Sequence, residues 1–160
     1  MLTNKEASTR QENMIANYLG WHIVPGSGSR HGYPGDIFND EWLGECKTHI
    51  NETKNVKFYW EHWHKISNEA LSRFKTPILF CDNGSQRSSS TLCLLKPIFN
   101  DLVKINDISG LSFNKSSLSV DLDDTLKKLS APDTMITFKR NNIEYGITTL
   151  SNFKSFIGRY

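Results

Sequence analysis

The sequence predicts a mixed α/β domain in which helices flank a central β-sheet. Helical and strand-like patterns alternate along residues 4–95, and two apolar runs, 76–81 and 91–95, have the length of buried strands. With 160 residues, of which 38% are hydrophobic and 22% charged, the chain is long enough to bury a core. This composition argues against disorder.

Turn and stop signals separate the elements of the N-terminal part. Gly20 ends the first helical pattern, Pro25-Gly26 breaks the first strand, and Asn39-Asp40 is a tight turn between two strands. The predicted elements are helix 4–20, strand 21–24, loop 26–35, strand 35–38, strand 42–48, loop 49–57, helix 58–74, central strand 76–81, strand 91–95 and a short helix over 97–104.

The amino-acid composition of the chain changes near residue 107, after which Ser, Asn and Asp are frequent. The predicted organisation is therefore a core over 1–106 and a β-rich C-terminal appendage over 107–160, packed on the core and serving specificity or dimerisation. Within it, segments 135–140 and 143–149 alternate around Asn141-Asn142, which is a β-hairpin signal. A short helix over 152–160 closes the chain, and the acidic run near Asp121 predicts a helix start.

The net charge and the cysteines bear on which partners and which cellular compartment the sequence predicts. The net charge of +2 neither demands nor excludes a nucleic-acid partner. The three cysteines lie in apolar runs without a CxxC motif, which predicts buried reduced thiols and a cytoplasmic, reducing compartment. The N-terminus does not resemble a signal peptide, and no apolar run reaches the ~18 residues of a membrane helix, so no membrane partner is expected.

The helix predicted over 58–74 mixes aromatic and charged residues. One interpretation is an amphipathic helix with its tryptophans in the core or an interface. The other is a DNA-facing or dimer-forming face that brings Lys65 close to the site and to DNA. A zinc site from His62 and His64 is disfavoured, because a spacing of two suits a strand. The candidates for the buried face are Trp60, Trp63, His64, Ala70, Leu71 and Phe74.

A possible catalytic cluster involves Asp36, Glu45 and Lys47. Side chains alternate along a strand, so Glu45 and Lys47 share one face. The tight turn allows Asp36 to lie next to Glu45 if the register permits. Two adjacent carboxylates repel unless a cation compensates them, and oxygen ligands, including the backbone carbonyl of Cys46, suit Mg²⁺ or Mn²⁺. A lysine beside such a cation can orient or deprotonate a water, or neutralise charge on a phosphate, and this combination suits phosphodiester hydrolysis.

Glu12 and the loop 26–35 also bear on this site, and each of them has two interpretations. Glu12 lies on the core-facing side of the first helix, where it either pairs with a buried cation or helps to bind the metal. The loop 26–35 is either a flexible turn or a phosphate-binding loop in which Arg30 pairs with the phosphate. Its position next to the predicted metal site favours the second interpretation.

Taken together, these motifs resemble the PD-(D/E)XK nuclease superfamily, and within it the archaeal-type Holliday junction resolvases. The resemblance covers about residues 5–105 and is carried by Glu12, residues 26–30, residues 34–37 and residues 45–47. It implies a restriction-endonuclease-like mixed sheet flanked by helices, Mg²⁺-dependent DNA cleavage with Mn²⁺ as a substitute, and a homodimer. The residues that it implies as metal ligands are Asp36, Glu45 and Glu12, with Lys47 as the catalytic lysine and Ser27, Ser29 and Arg30 in the loop that contacts DNA.

The sequence is therefore expected to encode a Mg²⁺-dependent DNA endonuclease that resolves branched DNA, in a phage or mobile element. One alternative is a sequence-specific endonuclease of homing or restriction type, in which residues 107–160 read bases. A second alternative is a nuclease-fold module that binds DNA without cutting it.

Overall fold

The structure of the protein, a computed structural model, describes residues 2–25 and 35–159. Its helices are α1 (Asn4–Leu19), α2 (Trp60–Ser72), α3 (Leu122–Lys128) and α4 (Leu150–Ile157). Its strands are β1 (His22–Ile23), β2 (Ile37–Phe38), β3 (Trp42–Lys47), β4 (Asn55–Tyr59), β5 (Thr76–Cys81), β6 (Leu92–Leu95), β7 (Val103–Ile105), β8 (Leu111–Phe113), β9 (Ser117–Asp121), β10 (Thr134–Arg140) and β11 (Ile143–Thr149).

Two sheets organise these strands. A mixed sheet of eight strands has the order β1-β2-β3-β5-β6-β11-β10-β7, and a smaller antiparallel sheet has the order β4-β9-β8. The predicted α/β class, with helices flanking a mixed sheet, is confirmed. In the part of the chain that the structure describes, no helix is both long and apolar enough to cross a bilayer.

The main sheet divides the core into two layers because its side chains alternate between faces. Leu43 and Leu79 pack with α2 and the small sheet in one layer. Trp42, Cys46 and Phe80 pack with α1 and α4 in the other. The odd-numbered positions of β3 therefore face α2, and the even-numbered positions face α1.

The connection between β3 and β5 places α2 over the main sheet. These two strands are parallel, with Glu45 opposite Leu79. A parallel pair requires a crossover connection, and here β4 and α2 supply it. The crossover lays α2 against the face of β3 that carries Glu45 and Lys47.

Helix α1 has clear start and stop signals. The hydroxyl of Thr3 accepts a hydrogen bond from the backbone N–H of Glu6 (3.1 Å), and the carboxylate of Glu6 accepts one from the N–H of Thr3 (2.7 Å). Gly20 ends the helix with a φ of +72°. The predicted first helix is confirmed, and its buried side packs on the layer that contains Cys46.

The buried face of α2 differs from the predicted one. Trp60, Trp63, Ile66 and Ala70 are buried, at a spacing that follows one side of the helix. His64 lies on the exposed side. The prediction was also wrong for the C-terminal end, where Leu71 is 75% exposed and Phe74, beyond the helix, is 97% exposed.

Two segments of the N-terminal part adopt structures that were not predicted. Residues 49–57 were expected to be loop, but β4 begins at Asn55 and buries Val56 and Phe58 against β9. The short helix predicted over 97–104 is absent, and β7 forms instead by parallel pairing with β10. Both strands are short and depend on partners far along the chain, so local pattern does not reveal them.

Both sheets contain strands of the C-terminal third: β10 and β11 belong to the main sheet, and β8 and β9 pair with β4 in the small sheet. Strand β11 pairs with β6, and β10 lies between β11 and β7. Phe153 and Phe156 of α4 are fully buried in the α1 layer. The predicted division at residue 106 therefore runs through one continuous sheet.

Several local predictions in this third are confirmed. The predicted hairpin has its turn at Asn141 and Asn142. Their φ angles are +52° and +64°, and a type I′ turn requires positive φ at both positions. Asp121 caps α3 by accepting a hydrogen bond from the N–H of Asp124 (3.1 Å). In the N-terminal part, the three cysteines are free and buried, as predicted for reduced thiols.

Candidate active site

Asp36 is held at the junction of three strands. Its N–H donates to the carbonyl of Gly44, and its own carbonyl accepts from the N–H of Val24, both at 2.8 Å. Oδ2 of its carboxylate accepts the N–H of Cys46 at 2.8 Å. With only 6% of its surface exposed, Asp36 is a buried acid whose position is set by β3.

Gly35 permits this placement of Asp36. Its φ is +65°, and a Cβ there would lie 2.8 Å from Cδ1 of Leu43. A side chain is therefore excluded by backbone conformation and by space. The presence of glycine directly before Asp36 therefore has a structural reason.

Glu45 and Lys47 lie on the α2 face of β3, as the alternation predicts. Oε1 of Glu45 is 3.6 Å from Nζ of Lys47, and Oε2 is 3.0 Å from Nζ of Lys65. Glu45 is 3% exposed, whereas 41% of the Lys47 side chain remains accessible. The predicted proximity of Lys65 to the cluster is present, through α2.

Glu12 approaches the same cluster from α1. The neighbouring Gln11, which is fully buried, donates from Nε2 to the backbone carbonyl of Lys47 at 2.7 Å and so ties α1 to the end of β3. The side chain of Asp36 lies close enough to Glu12 to contribute to the raised pKa of Glu12. Of the two interpretations of Glu12, its contacts favour membership of the carboxylate cluster over pairing with a buried cation.

The crowding of the carboxylates affects the protonation of Glu12 and Glu45. Burial, and then the charges of Asp36 and Glu45, raise the pKa of Glu12 from 4.5 to about 7. Burial and Asp36 likewise raise the pKa of Glu45 to about 7, although Lys65 and Lys47 oppose the rise. Glu12 and Glu45 therefore carry less negative charge near neutral pH than two separate glutamates would carry.

Cys46 is affected by the same crowding. Burial raises the pKa of its thiol, and the carboxylates of Asp36, Glu12 and Glu45 raise it further. The peptide group of Cys46 lies against the cluster through its N–H bond to Asp36.

The donor chemistry of this cluster fits Mg²⁺ or Mn²⁺. Carboxylate and carbonyl oxygens are hard ligands, and no histidine or thiolate is required. Across residues 2–25 and 35–159, however, no three acidic, histidine or cysteine side chains are already arranged as a ligand set. A cation at Glu45 competes with the two lysines that lie against its oxygens.

Sequence reasoning missed Glu69 of α2. Its Oε2 accepts the N–H of Gly35 at 2.7 Å, and its Oε1 is 3.4 Å from Nζ of Lys65. Partial burial lowers the pKa of Lys65, but the pairing with Glu45 and Glu69 outweighs this effect and raises the pKa overall. The i,i+4 spacing of Lys65 and Glu69 was an available signal for their pairing, although not for the contact with Gly35.

The predicted DNA-binding residues Ser27, Ser29 and Arg30 lie outside the described residues. The two ends of the segment that contains them meet at the site, because the N–H of Val24 is bonded to the carbonyl of Asp36. The described residues that flank this segment, Val24 and Asp36, therefore lie beside each other at the carboxylate cluster.

Comparison with known proteins does not assign the chain to a family. No protein-family model matches it. No curated protein and no solved structure matches it significantly.

Proposed function

We propose that the protein is a metal-dependent DNA endonuclease of the PD-(D/E)XK type that cuts branched DNA. The observation that carries the proposal is the meeting of Glu12, Asp36, Glu45 and Lys47 at one end of β3. Glu12 belongs to α1, Asp36 directly precedes β2, and Glu45 and Lys47 belong to β3. Each of them was singled out from the sequence. A surface ion pair would not need three acids, two of them buried.

The proposed reaction adds water across a phosphodiester and leaves 5′-phosphate and 3′-hydroxyl ends. Glu12, Asp36, Glu45 and the Cys46 carbonyl would hold Mg²⁺, which when bound supplies an activated water and shields the charge of the phosphate. Lys47 is accessible and lies 3.6 Å from Glu45, where its ammonium group can orient the water or neutralise a phosphate oxygen. Lys65 balances the charge of Glu45 on the other side.

The choice of branched DNA rests on the resemblance to junction resolvases. A homodimer belongs to the same proposal, because symmetric cutting of a four-way junction requires two sites. The free, buried cysteines are compatible with action in a reducing compartment such as the cytoplasm, in a phage or mobile-element setting.

Cleavage of two labelled substrates tests the proposal: a synthetic four-way junction and a linear duplex with the same arms. Mg²⁺ supports the reaction, and EDTA provides a metal-free control. Asp36→Ala removes a cluster carboxylate, and Asp40→Ala, at an exposed turn position, is the matched control. We expect symmetric nicking of the junction only, abolished by EDTA and by Asp36→Ala and retained by Asp40→Ala.

Two other outcomes would change the assignment. Metal-dependent cutting of linear DNA at one site, with the junction intact, would move the protein to the homing or restriction class. DNA binding without cutting of any substrate would favour a non-catalytic module. A specific observation supports that second candidate, because Lys47 and Lys65 lie against the oxygens of Glu45 and compensate its charge themselves.

A further inference from the structure

A cavity of about 640 Å³ lies next to Lys47, between the end of β3, the outer face of β4 and the first turn of α2. Pockets of several hundred Å³ are typical of sites that hold a small organic group. Lys47 belongs to both the cavity and the carboxylate cluster, so the cavity opens beside the proposed cleavage site. Its other lining residues have no role in that cluster.

The outer face of β4 contributes a lysine and a tyrosine to the cavity. Val56 and Phe58 point into the core, so Lys57 and Tyr59 lie on the opposite face. The ammonium group of Lys57 is 5.8 Å from the centre of the Tyr59 ring. Since Tyr59 is 38% exposed, its ring is available to a ligand.

His62 adds a second ring to this wall. Its ring centre is 5.5 Å from that of Tyr59, and the two planes meet at 68°. Nδ1 of His62 is buried and has no hydrogen-bond partner within the described residues. Burial, followed by the charge of Lys47, lowers the pKa of His62, so the imidazole is a neutral ring at physiological pH.

The remaining lining is polar: it contains several uncharged side chains and the carboxylate of Asp82, which accepts a hydrogen bond from the hydroxyl of Thr48 at 2.6 Å. Thr48, Asn51, Thr53 and Asn55 all line the cavity. Hydroxyl and amide groups can donate to or accept from the edge of a nucleobase, whichever base is present. An aromatic wall, a polar edge and a lysine therefore match the three parts of a nucleotide that proteins contact: the base face, the base edge and the phosphate.

We propose that this cavity binds one unpaired nucleotide of the DNA strand, next to the phosphodiester that is cut, with the base against Tyr59 and His62 and a phosphate against Lys57. The inference rests on the proposed function and names the substrate class of the same site. A base that is paired in a duplex cannot enter a cavity without leaving the stack, which costs a few kcal/mol. Branched, gapped or single-stranded DNA avoids that cost, so the cavity favours such substrates over a continuous duplex.

Binding of 2-aminopurine-labelled DNA in EDTA tests this proposal without cleavage. The probes are a duplex with one unpaired 2-aminopurine and the same duplex with that base paired. We expect wild-type protein to bind the unpaired probe more tightly and to quench its fluorescence. Tyr59→Ala should weaken binding of this probe about 5- to 150-fold, the loss that corresponds to one base–aromatic stack, and Tyr59→Phe should restore it.

Controls separate stacking from loss of fold and from general charge. Phe74→Ala removes an aromatic side chain that is 97% exposed and outside the cavity, and it should leave binding unchanged. Lys57→Gln should reduce the slope of log Kd against log salt concentration by about one. Thermal melting of each variant checks that the fold is retained.

The results also distinguish this inference from the proposed nuclease activity. Quenching that depends on Tyr59, in a protein that cuts nothing, would support the cavity and overturn the activity. Metal-dependent cleavage with equal binding of both probes by wild type and Tyr59→Ala would overturn the cavity and leave the activity standing. Binding of a free deoxynucleoside monophosphate, without any dependence of DNA binding on Tyr59, would overturn the assignment to a DNA strand.

Discussion

The backbone N–H of Cys46 donates a 2.8 Å hydrogen bond to Oδ2 of Asp36. Strand β3 therefore carries the carboxylate of Glu45 and also orients that of Asp36, through the N–H of Cys46. A buried acceptor of this kind stabilises the backbone that it contacts, because an unpaired buried N–H costs about 1–3 kcal/mol.

Substitution of Asp36 should separate its structural role from its chemical role. Asp36→Asn keeps an oxygen that can accept the N–H of Cys46, whereas Asp36→Ala does not. We expect Asp36→Ala to lower the free energy of unfolding by about 1–3 kcal/mol and Asp36→Asn to cost less. Both should abolish metal-dependent cleavage. Denaturant unfolding and the junction assay measure the two effects, and residual cleavage by Asp36→Asn close to wild type would exclude Asp36 as a metal ligand.

Gly35→Ala should destabilise the site through the backbone. The new methyl group would lie 2.8 Å from Cδ1 of Leu43 at a φ of +65°. We expect a loss of about 1–3 kcal/mol in unfolding free energy and reduced Mg²⁺ affinity. Gly20→Ala is the matched control, because Gly20 has a φ of +72° but no atom within 4 Å of the position that a methyl group would take. Equal losses for the two variants would show that steric contact with Leu43 is unimportant.

The stability of the metal-free protein should fall as pH rises. In the folded state Glu12 and Glu45 hold protons up to about pH 7, whereas their ordinary pKa is 4.5. The folded state therefore binds more protons than the unfolded state across this window. The resulting stabilisation is complete below about pH 4.5 and is lost as pH rises through about 7. Each group contributes at most about 1.4 kcal/mol per pH unit, and solvent screening reduces this for Glu12.

Unfolding in EDTA across this pH range measures the effect. Glu12→Gln should flatten the dependence, because it removes one of the two groups that take up protons on folding. Glu41→Gln removes an exposed carboxylate outside the cluster and serves as the control. A wild-type stability that rises between pH 4.5 and 7 would contradict the crowding of these acids.

Lys65→Met should make Glu45 harder to ionise. Lys65 lowers the pKa of Glu45 from 3.0 Å away, so its loss should raise that pKa further. The acidic limb of the rate–pH profile for cleavage should move upward by a similar amount, and Lys65→Arg should restore it. Carboxyl NMR titration of Glu45 provides a readout that does not depend on activity. Lys115→Met, at an exposed position, is the control, and an unchanged titration of Glu45 in Lys65→Met would refute the coupling.

Patterns within one short segment were sufficient for much of the fold. The apolar runs of β5 and β6, the Asn141-Asn142 turn and the stop at Gly20 each depend on neighbours in sequence, and each was predicted. Strands β4 and β7 were not, because a strand of three to five residues is stabilised mainly by partners elsewhere in the chain.

The features of the candidate site also separate into those that the sequence predicted and those that it did not. The shared face of Glu45 and Lys47 follows from strand alternation alone, and the tight turn made Asp36 a reasonable neighbour. The contact of Glu69 with Gly35, and the neutral ring of His62 beside Lys47, have no signal in the sequence that predicts them. They arise only when α2 crosses the sheet between β3 and β5.

By itself, the sequence determined the α/β class, the alternation that pairs Glu45 with Lys47 and the acidic residues that a metal would need. The tertiary structure alone decided that the C-terminal strands β10 and β11 extend the main sheet. It also decided that α1 brings Glu12 to Asp36 and that α2 brings Lys65 to Glu45. The physical reason is that local backbone preferences act over a few residues, whereas strand pairing and burial join groups from distant parts of the chain.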